Sequence, residues 1–178
     1  MPTGPTRPFR RARKVATDRE KALGKTLSAA VLEEAKNFWN QISVVKDALT
    51  AFKTGGVHAM HDPTEGGVTG GIHEMADASN VGVKVIEETI TVQPETAKIC
   101  SHFQIDPLQL IGSGALLISA EAGSANQIVR SLKLERIQAS VIGEFTGNAG
   151  QRLLTQKGGR VKVLPRPLSD HLWTALKR

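Results

Sequence analysis

Between positions 61 and 71 the chain reads His-Asp-Pro-Thr-Glu-Gly-Gly-Val-Thr-Gly-Gly. Gly66, Gly67, Gly70 and Gly71 stand at the start of a predicted helix, where glycine removes side chains that would hold a ligand away from the backbone. The helix N-terminus behind them offers unpaired N–H groups and the positive end of its dipole, a combination that binds phosphate. The spacing is not the dinucleotide fingerprint GxGxxG, and the loop lacks the Lys-Ser/Thr of a P-loop. The same glycines suit a tight turn that lets a helix pack closely on a strand, so both readings stand. Asp62 could hold a metal-bound water or a ribose hydroxyl, Thr64 could donate to a phosphate, and Glu65 could take a basic partner. Asp and Thr are equally ordinary helix caps.

His58, His61, His73 and Glu74 raise the question of a metal centre. His58 and His61 are three apart on a segment read as extended, where alternate side chains point to opposite faces, so no metal site is expected. Cys100 falls on the apolar face of a predicted helix and reads as an inert buried thiol rather than a nucleophile.

The elements that would position the glycine loop follow from periodicity. From Ser28, an N-cap, apolar residues recur at Val31, Leu32, Ala35, Phe38, Trp39, Ile42, Val45, Leu49 and Phe52, which predicts one long amphipathic helix ending near Gly55-Gly56. A short strand to Met60, the glycine loop and a helix bearing Ile72, Met75, Ala76 and Ala78 come next. Val83, Val85 and Ile86 form a strand, and Pro94 opens a helix carrying Ala97, Ile99, Cys100 and Phe103. The apolar run Ala115–Ser119 suits a buried strand, and a helix spans about 124–134. Extended segments at 140–145, 152–154 and 161–163 close the sheet, the last two joined by a Gly158-Gly159 hairpin turn. Ser169 would cap a final short helix bearing Leu172, Trp173 and Leu176. Strands and helices interleave before strands cluster, which predicts an α/β (α+β) fold with a mixed β-sheet packed by helices.

A chain of 178 residues with 40% hydrophobic and 4% aromatic content is globular with an aliphatic core. The formal charge of +6 is accounted for by Arg7, Arg10, Arg11, Arg13, Lys14, Arg19, Lys21 and Lys25 against Asp18 and Glu20. The remainder is neutral and gives no electrostatic reason to expect nucleic acid. Residues 1–25 combine that charge with Pro2, Pro5 and Pro8, and read as a disordered basic arm ahead of a domain over 26–178. Such an arm could be a transit peptide, an inert extension or the remnant of an upstream domain. A single cysteine precludes an internal disulfide and fits a cytoplasmic address, and no apolar run is long enough to cross a membrane.

The segment Gly55-Gly56-Val57-His58-Ala59-Met60-His61-Asp62-Pro63-Thr64-Glu65-Gly66-Gly67, followed by Glu74-Met75-Ala76-Asp77-Ala78-Ser79-Asn80-Val81-Gly82-Val83, resembles the opening of the C-terminal domain of the AIR synthase-related proteins, nearest the HypE-type hydrogenase maturation factors. Asp106-Pro107-Leu108, Ser113-Gly114-Ala115-Leu116-Leu117-Ile118 and Val141-Ile142-Gly143-Glu144 match the same family in the same order, so the resemblance covers roughly 28–165. It implies an AIR synthase C-terminal-domain-like fold and a nucleotide cleft lined by Asp62, Thr64, Glu65, Gly66 and Gly67. It also implies ATP and magnesium as ligands, and a link to hydrogenase maturation or a related ATP-dependent activation such as a dehydratase or synthase step.

The family's N-terminal domain and its terminal cysteine have no counterpart in the sequence. His61 and Glu65 stand where arginines are associated with the hydrogenase factors, which points to a paralogous branch. The expectation is therefore a standalone or split domain, inactive alone, whose cleft is completed by an N-terminal AIR synthase-like domain on another chain or by self-association. Hydrogenase maturation proteins are further expected partners. The alternative is a non-catalytic scaffold module or degenerate paralogue with the same fold.

Overall fold

The computed structural model describes residues 2–3 and 12–177, with side chains from Arg13 onward. The strands are β1 (Pro2–Thr3), β2 (Val57–His61), β3 (Gly82–Ile86), β4 (Leu117–Ala120), β5 (Gly143–Thr146), β6 (Arg152–Thr155) and β7 (Val161–Val163). They form one seven-stranded sheet in the order β2-β4-β1-β5-β3-β6-β7. Only the β3–β6 pairing is parallel, so the sheet is mixed as the element order predicted.

Both faces of the sheet are covered. Helix α5 (Gly67–Ala78) brings Val68, Ile72 and Ala76 onto Val83, Val85, Leu117, Phe145 and Leu154. Helices α4 (Val45–Thr54) and α7 (Ala125–Leu134) cover the opposite face, where Ala51, Ile128 and Leu132 pack on Leu116, Ile118 and Ala120. The two-residue alternation along β4 explains why Leu117 and Ile118 belong to different clusters. A third cluster is helical: α1 (Ala12–Asp18), α2 (Glu20–Leu23), α3 (Ala29–Asn37), α6 (Pro94–Phe103) and α8 (His171–Lys177) surround Val15, Leu32, Ile99, Phe103 and Leu172.

Three expectations are corrected here. Over 12–23 the basic arm is helical, with Val15, Ala16 and Leu23 fully buried. Its own apolar groups are few, but α3, α6 and α8 supply the other half of the core, and a Lys36–Glu20 ion pair at 2.7 Å ties α3 back to α2. Residue 1 and residues 4–11 of that arm lie outside the described residues.

The single helix predicted from Ser28 is broken by a 3₁₀ turn at Phe38–Gln41 before α4 begins. Leu32, Ala35 and Phe38 serve the helical cluster while Ala51 serves the sheet, and one straight helix cannot face both. Trp39, Leu49 and Phe52, expected inward, are consequently exposed. Ser28 does accept from the Val31 N–H as an N-cap. Finally, the cap of α8 is Asp170 rather than Ser169, because the Leu172 N–H donates to Asp170 Oδ1 at 2.7 Å. The Gly158-Gly159 turn matches its prediction, with both glycines at positive φ.

Candidate functional site

The glycine loop joins β2 to α5. Gly66 and Gly67 both adopt left-handed φ, at +74° and +66°, a backbone path that a side chain at either position would strain. Gly66 is the N-cap of α5, and no side chain of the preceding loop caps the helix. The capping role open to Asp62 and Thr64 is therefore not the one they play. Asp62, Thr64 and Glu65 are exposed, and their side chains carry no hydrogen bond to any described residue.

The anchor comes from the far end of the chain. The buried carboxylate of Asp170 accepts from the Gly66 N–H at 2.8 Å through Oδ2, and from the Ile111 and Leu172 N–H groups through Oδ1. The Gly66 amide, expected to be bare for phosphate, is thus already satisfied by an internal anion. The Gly67 N–H is likewise taken, by Thr64 O at 3.2 Å. Gly112 donates to the same carbonyl at 2.9 Å, so the inner half of the loop is locked while its outer side chains stay free.

Residues 164–170 cross α5 as a strap. Pro167 lies 3.3 Å from where a Gly66 side chain would begin, which is why the loop comes so close to it. Arg166 pairs with Asp77, whose other oxygen takes Arg152 at 2.7 Å; these two guanidinium hydrogen bonds, Arg166 first, hold the Asp77 carboxyl below its usual range. The His73 Nε2–H sits 3.2 Å from both the Leu164 and Pro165 carbonyls, which fixes the tautomer. His73 Nδ1 is buried without a partner among the described residues. Burial, then the charge of Arg166, push the His73 pKa down, so the ring is neutral at pH 7. Between strap and loop lies an open cavity of ≈230 Å³ edged by Glu65, Gly66, Gly70, His73, Glu74 and Arg166.

At the end of β2, His61 Nε2–H donates to Glu74 at 2.6 Å, so the pair straddles the gap between strand and helix. His58 is exposed near a register shift in β2 between Val57 and Ala59. Among the described residues no cluster of three or more His, Cys, Asp or Glu could hold a metal ion by itself. Cys100 is buried in the helical cluster, as its helical position predicted.

Sequence reasoning placed the loop but missed Asp170, Arg166 and His73 as its supports. An Asp directly before a helix was the available signal for Asp170; nothing local marks the other two.

Comparison with known proteins puts this geometry in context. The chain is 27% identical over 146 residues to the carbamoyl dehydratase HypE of Rhizobium leguminosarum bv. viciae, covering 74% of this chain and 42% of that relative. It therefore spans less than half of the length of that protein. The fold also matches HypE in a HypE–HypF complex (TM-score 0.64, 25% identity, 70% of this chain and 41% of that one). A second match is hydrogenase maturation protein HypE in complex with ATP (TM-score 0.59, 25% identity, 65% of this chain and 37% of that one). Residues 12–155 match the AIR synthase related protein, C-terminal domain, family, and the chain belongs to it, in its HypE-like branch.

Proposed function

We propose that this chain is the C-terminal half of a HypE-like, ATP-dependent system, and that its 62–67 loop forms one wall of a nucleotide cleft which another polypeptide closes. The observation that carries this is the division of labour at the loop. Asp170 anchors the Gly66 amide from a distance, leaving Asp62, Thr64 and Glu65 exposed, unpaired and held on a rigid turn. Polar side chains fixed in place without a structural partner are what a ligand wall requires.

Two carboxylates beside a hydroxyl would repel a bare triphosphate but suit one carrying magnesium, whose coordination uses carboxylate and phosphate oxygens together. Asp62 and Glu65 would face the ion or its waters, and Thr64 would donate to a phosphate oxygen. Gly66 and Gly67 would set the turn rather than offer their amides. A relative's structure in complex with ATP supports the ligand, and a HypE–HypF complex supports hydrogenase maturation proteins as partners. The completing body is an N-terminal AIR synthase-like domain on another chain, or a second copy. Catalysis by this chain alone is not expected. No helix among the described residues is long and apolar enough to cross a membrane, and the working location is proposed as the cytoplasm.

Titration calorimetry with ATP and magnesium, with and without a HypE-type N-terminal domain, tests this. The expected result is no measurable heat for the chain alone, saturable binding with the domain present, and loss of that binding in Asp62→Ala. Tight binding by the isolated chain would overturn the need for a partner. The sealed Gly66 amide favours a second possibility, a scaffold module. Partner-dependent ATP hydrolysis indifferent to both Asp62→Ala and Thr64→Ala would establish that reading instead.

A further inference from the structure

Helices α4 and α7 lie side by side on the face of the sheet away from α5, and their outer surfaces leave an open groove of ≈890 Å³ between them. Val45 and Leu49 line it from α4 and Leu134 from α7, and Phe52 extends the α4 stripe by another turn. All four side chains are more than half exposed. Positions 45, 49 and 52 recur at four and three and so share one face of α4. The helix packs on the sheet through its small residues, Ala48 and Ala51, and leaves its large apolar groups outside. Apolar side chains gathered on a surface in this way mark an interaction site.

The charges around the groove have one sign. Its acidic lining residue, Glu135, is already paired with Lys46 at 2.8 Å, a bridge that joins the start of α4 to the end of α7 and marks one end of the groove. Lys53 stands within it, Arg130 lies one turn before Leu134 on the exposed side of α7, and Arg136 follows Glu135. None of these three cations has an ion pair with a described residue. An occupant therefore meets apolar walls with a basic rim.

We propose that this groove docks an amphipathic helix of another protein, its apolar face against Val45, Leu49, Phe52 and Leu134 and its acidic flank against Lys53 and Arg130. A helix satisfies its own backbone, whereas an extended peptide would find no sheet edge here to pair with. Anchors at the four-and-three spacing span about 10 Å, within the roughly 15 Å length of α4. A second copy docking through its own α4 would bring Lys46 and Lys53 onto a rim of the same sign, so charge selects against it. A lipid surface suits a convex apolar face, not two facing walls. The groove lies on the opposite side of the sheet from the glycine loop, and the proposal is independent of the nucleotide cleft.

The test uses the full chain and a fluorescein-labelled synthetic peptide of about 16 residues, some four turns, with leucines along one face and glutamates on its flanks. Fluorescence anisotropy is expected to show saturable binding. A peptide of the same composition in scrambled order, and one with lysines in place of the glutamates, should each bind at least about tenfold more weakly. Leu49→Glu, at an exposed position, should abolish binding with an unchanged circular dichroism spectrum. Lys53→Glu should weaken the acidic peptide about fivefold and strengthen the lysine peptide. No saturable binding of the acidic peptide up to millimolar concentration, equal binding of the scrambled one, or an unchanged affinity in Leu49→Glu would overturn the site. Co-sedimentation with phosphatidylserine-containing vesicles, lost in Leu49→Glu, would replace the helix by a lipid surface. A concentration-dependent dimer of the chain alone, lost in the same variant, would replace it by a second copy. Partner-dependent ATP binding and its loss in Asp62→Ala are read separately, so the two proposals fail separately.

Discussion

The Gly66 amide and the Asp170 carboxylate meet at 2.8 Å across 104 residues of sequence, and the same carboxylate takes two further backbone N–H groups. Removing it strands buried donors on the glycine loop, on the segment before β4 and at the start of α8. Asp170→Ala is therefore expected to lower stability by about 3 kcal/mol, the scale for losing charge-assisted hydrogen bonds and leaving their donors unpaired. Asp170→Asn, which keeps one acceptor oxygen, should cost about half as much. Urea unfolding followed by circular dichroism distinguishes the two; equal midpoints for Asp170→Ala and the parent would contradict the anchoring role.

Gly71 sits where α5 packs tightly against the sheet residues His61 and Leu117. A β-carbon there would lie 2.7 Å from Pro63 Cβ, which belongs to a rigid ring, and 3.0 Å from Leu117 Cδ1, whose side chain is buried in the α5 cluster. Gly71→Ala should cost about 1–3 kcal/mol through overpacking, despite alanine's better helix propensity. Gly123, with nothing within 4 Å of its would-be β-carbon, is the control, and Gly123→Ala should unfold with the parent midpoint.

The stability curve should carry the signature of His73. Its folded pKa lies below the ordinary 6.5, first because of burial and then because of Arg166. The unfolded chain therefore binds a proton more readily than the native one. The stabilising effect is complete above about pH 6.5 and is lost as the pH falls through the lower, native value. Between pH 7.5 and pH 5 the parent should lose more stability than His73→Gln, which cannot titrate. Parallel curves for the two proteins would show that His73 is not responsible.

Asp77 holds two arginines with unequal duties. Arg152 also donates to the carbonyls of Val81, Ala149 and Gln151, and its side chain is largely buried, whereas Arg166 is 58% exposed and makes the Asp77 bond. Arg152→Ala should cost about 2–3 kcal/mol because it leaves carbonyls unpaired. Arg166→Ala should cost less than about 1 kcal/mol, as exposed ion pairs do. In both variants the Asp77 carboxyl should titrate closer to 3.8 when followed by NMR.

What was legible in the sequence was whatever is encoded locally. The strand–glycine loop–helix unit at 57–78 is announced by its own glycines, and the helix at Pro94 by its proline at the first turn. The hairpin at Gly158-Gly159 is another such feature. The mixed sheet followed from the order of the elements. Long-range pairings were not legible. Val15 and Leu23 looked like stray apolar residues in a charged arm because their partners Phe103 and Leu172 lie far along the chain. The break at Phe38–Gln41 was invisible because the apolar spacing runs on while the core it serves changes. At the candidate site, Asp62, Thr64 and Glu65 were found by type and spacing. That Asp170 would anchor the loop through the Gly66 amide depended on a contact no local pattern records.

The strap also sets a schedule. During synthesis the glycine loop emerges about 100 residues before Pro167 and Asp170 do, so until they follow, Gly66 has an amide open to water. The turn acquires its final shape only when residues 164–170 have docked against it. A nascent chain halted after position 163 would thus expose an unfinished loop, and any ligand wall it forms is completed later than the helix behind it.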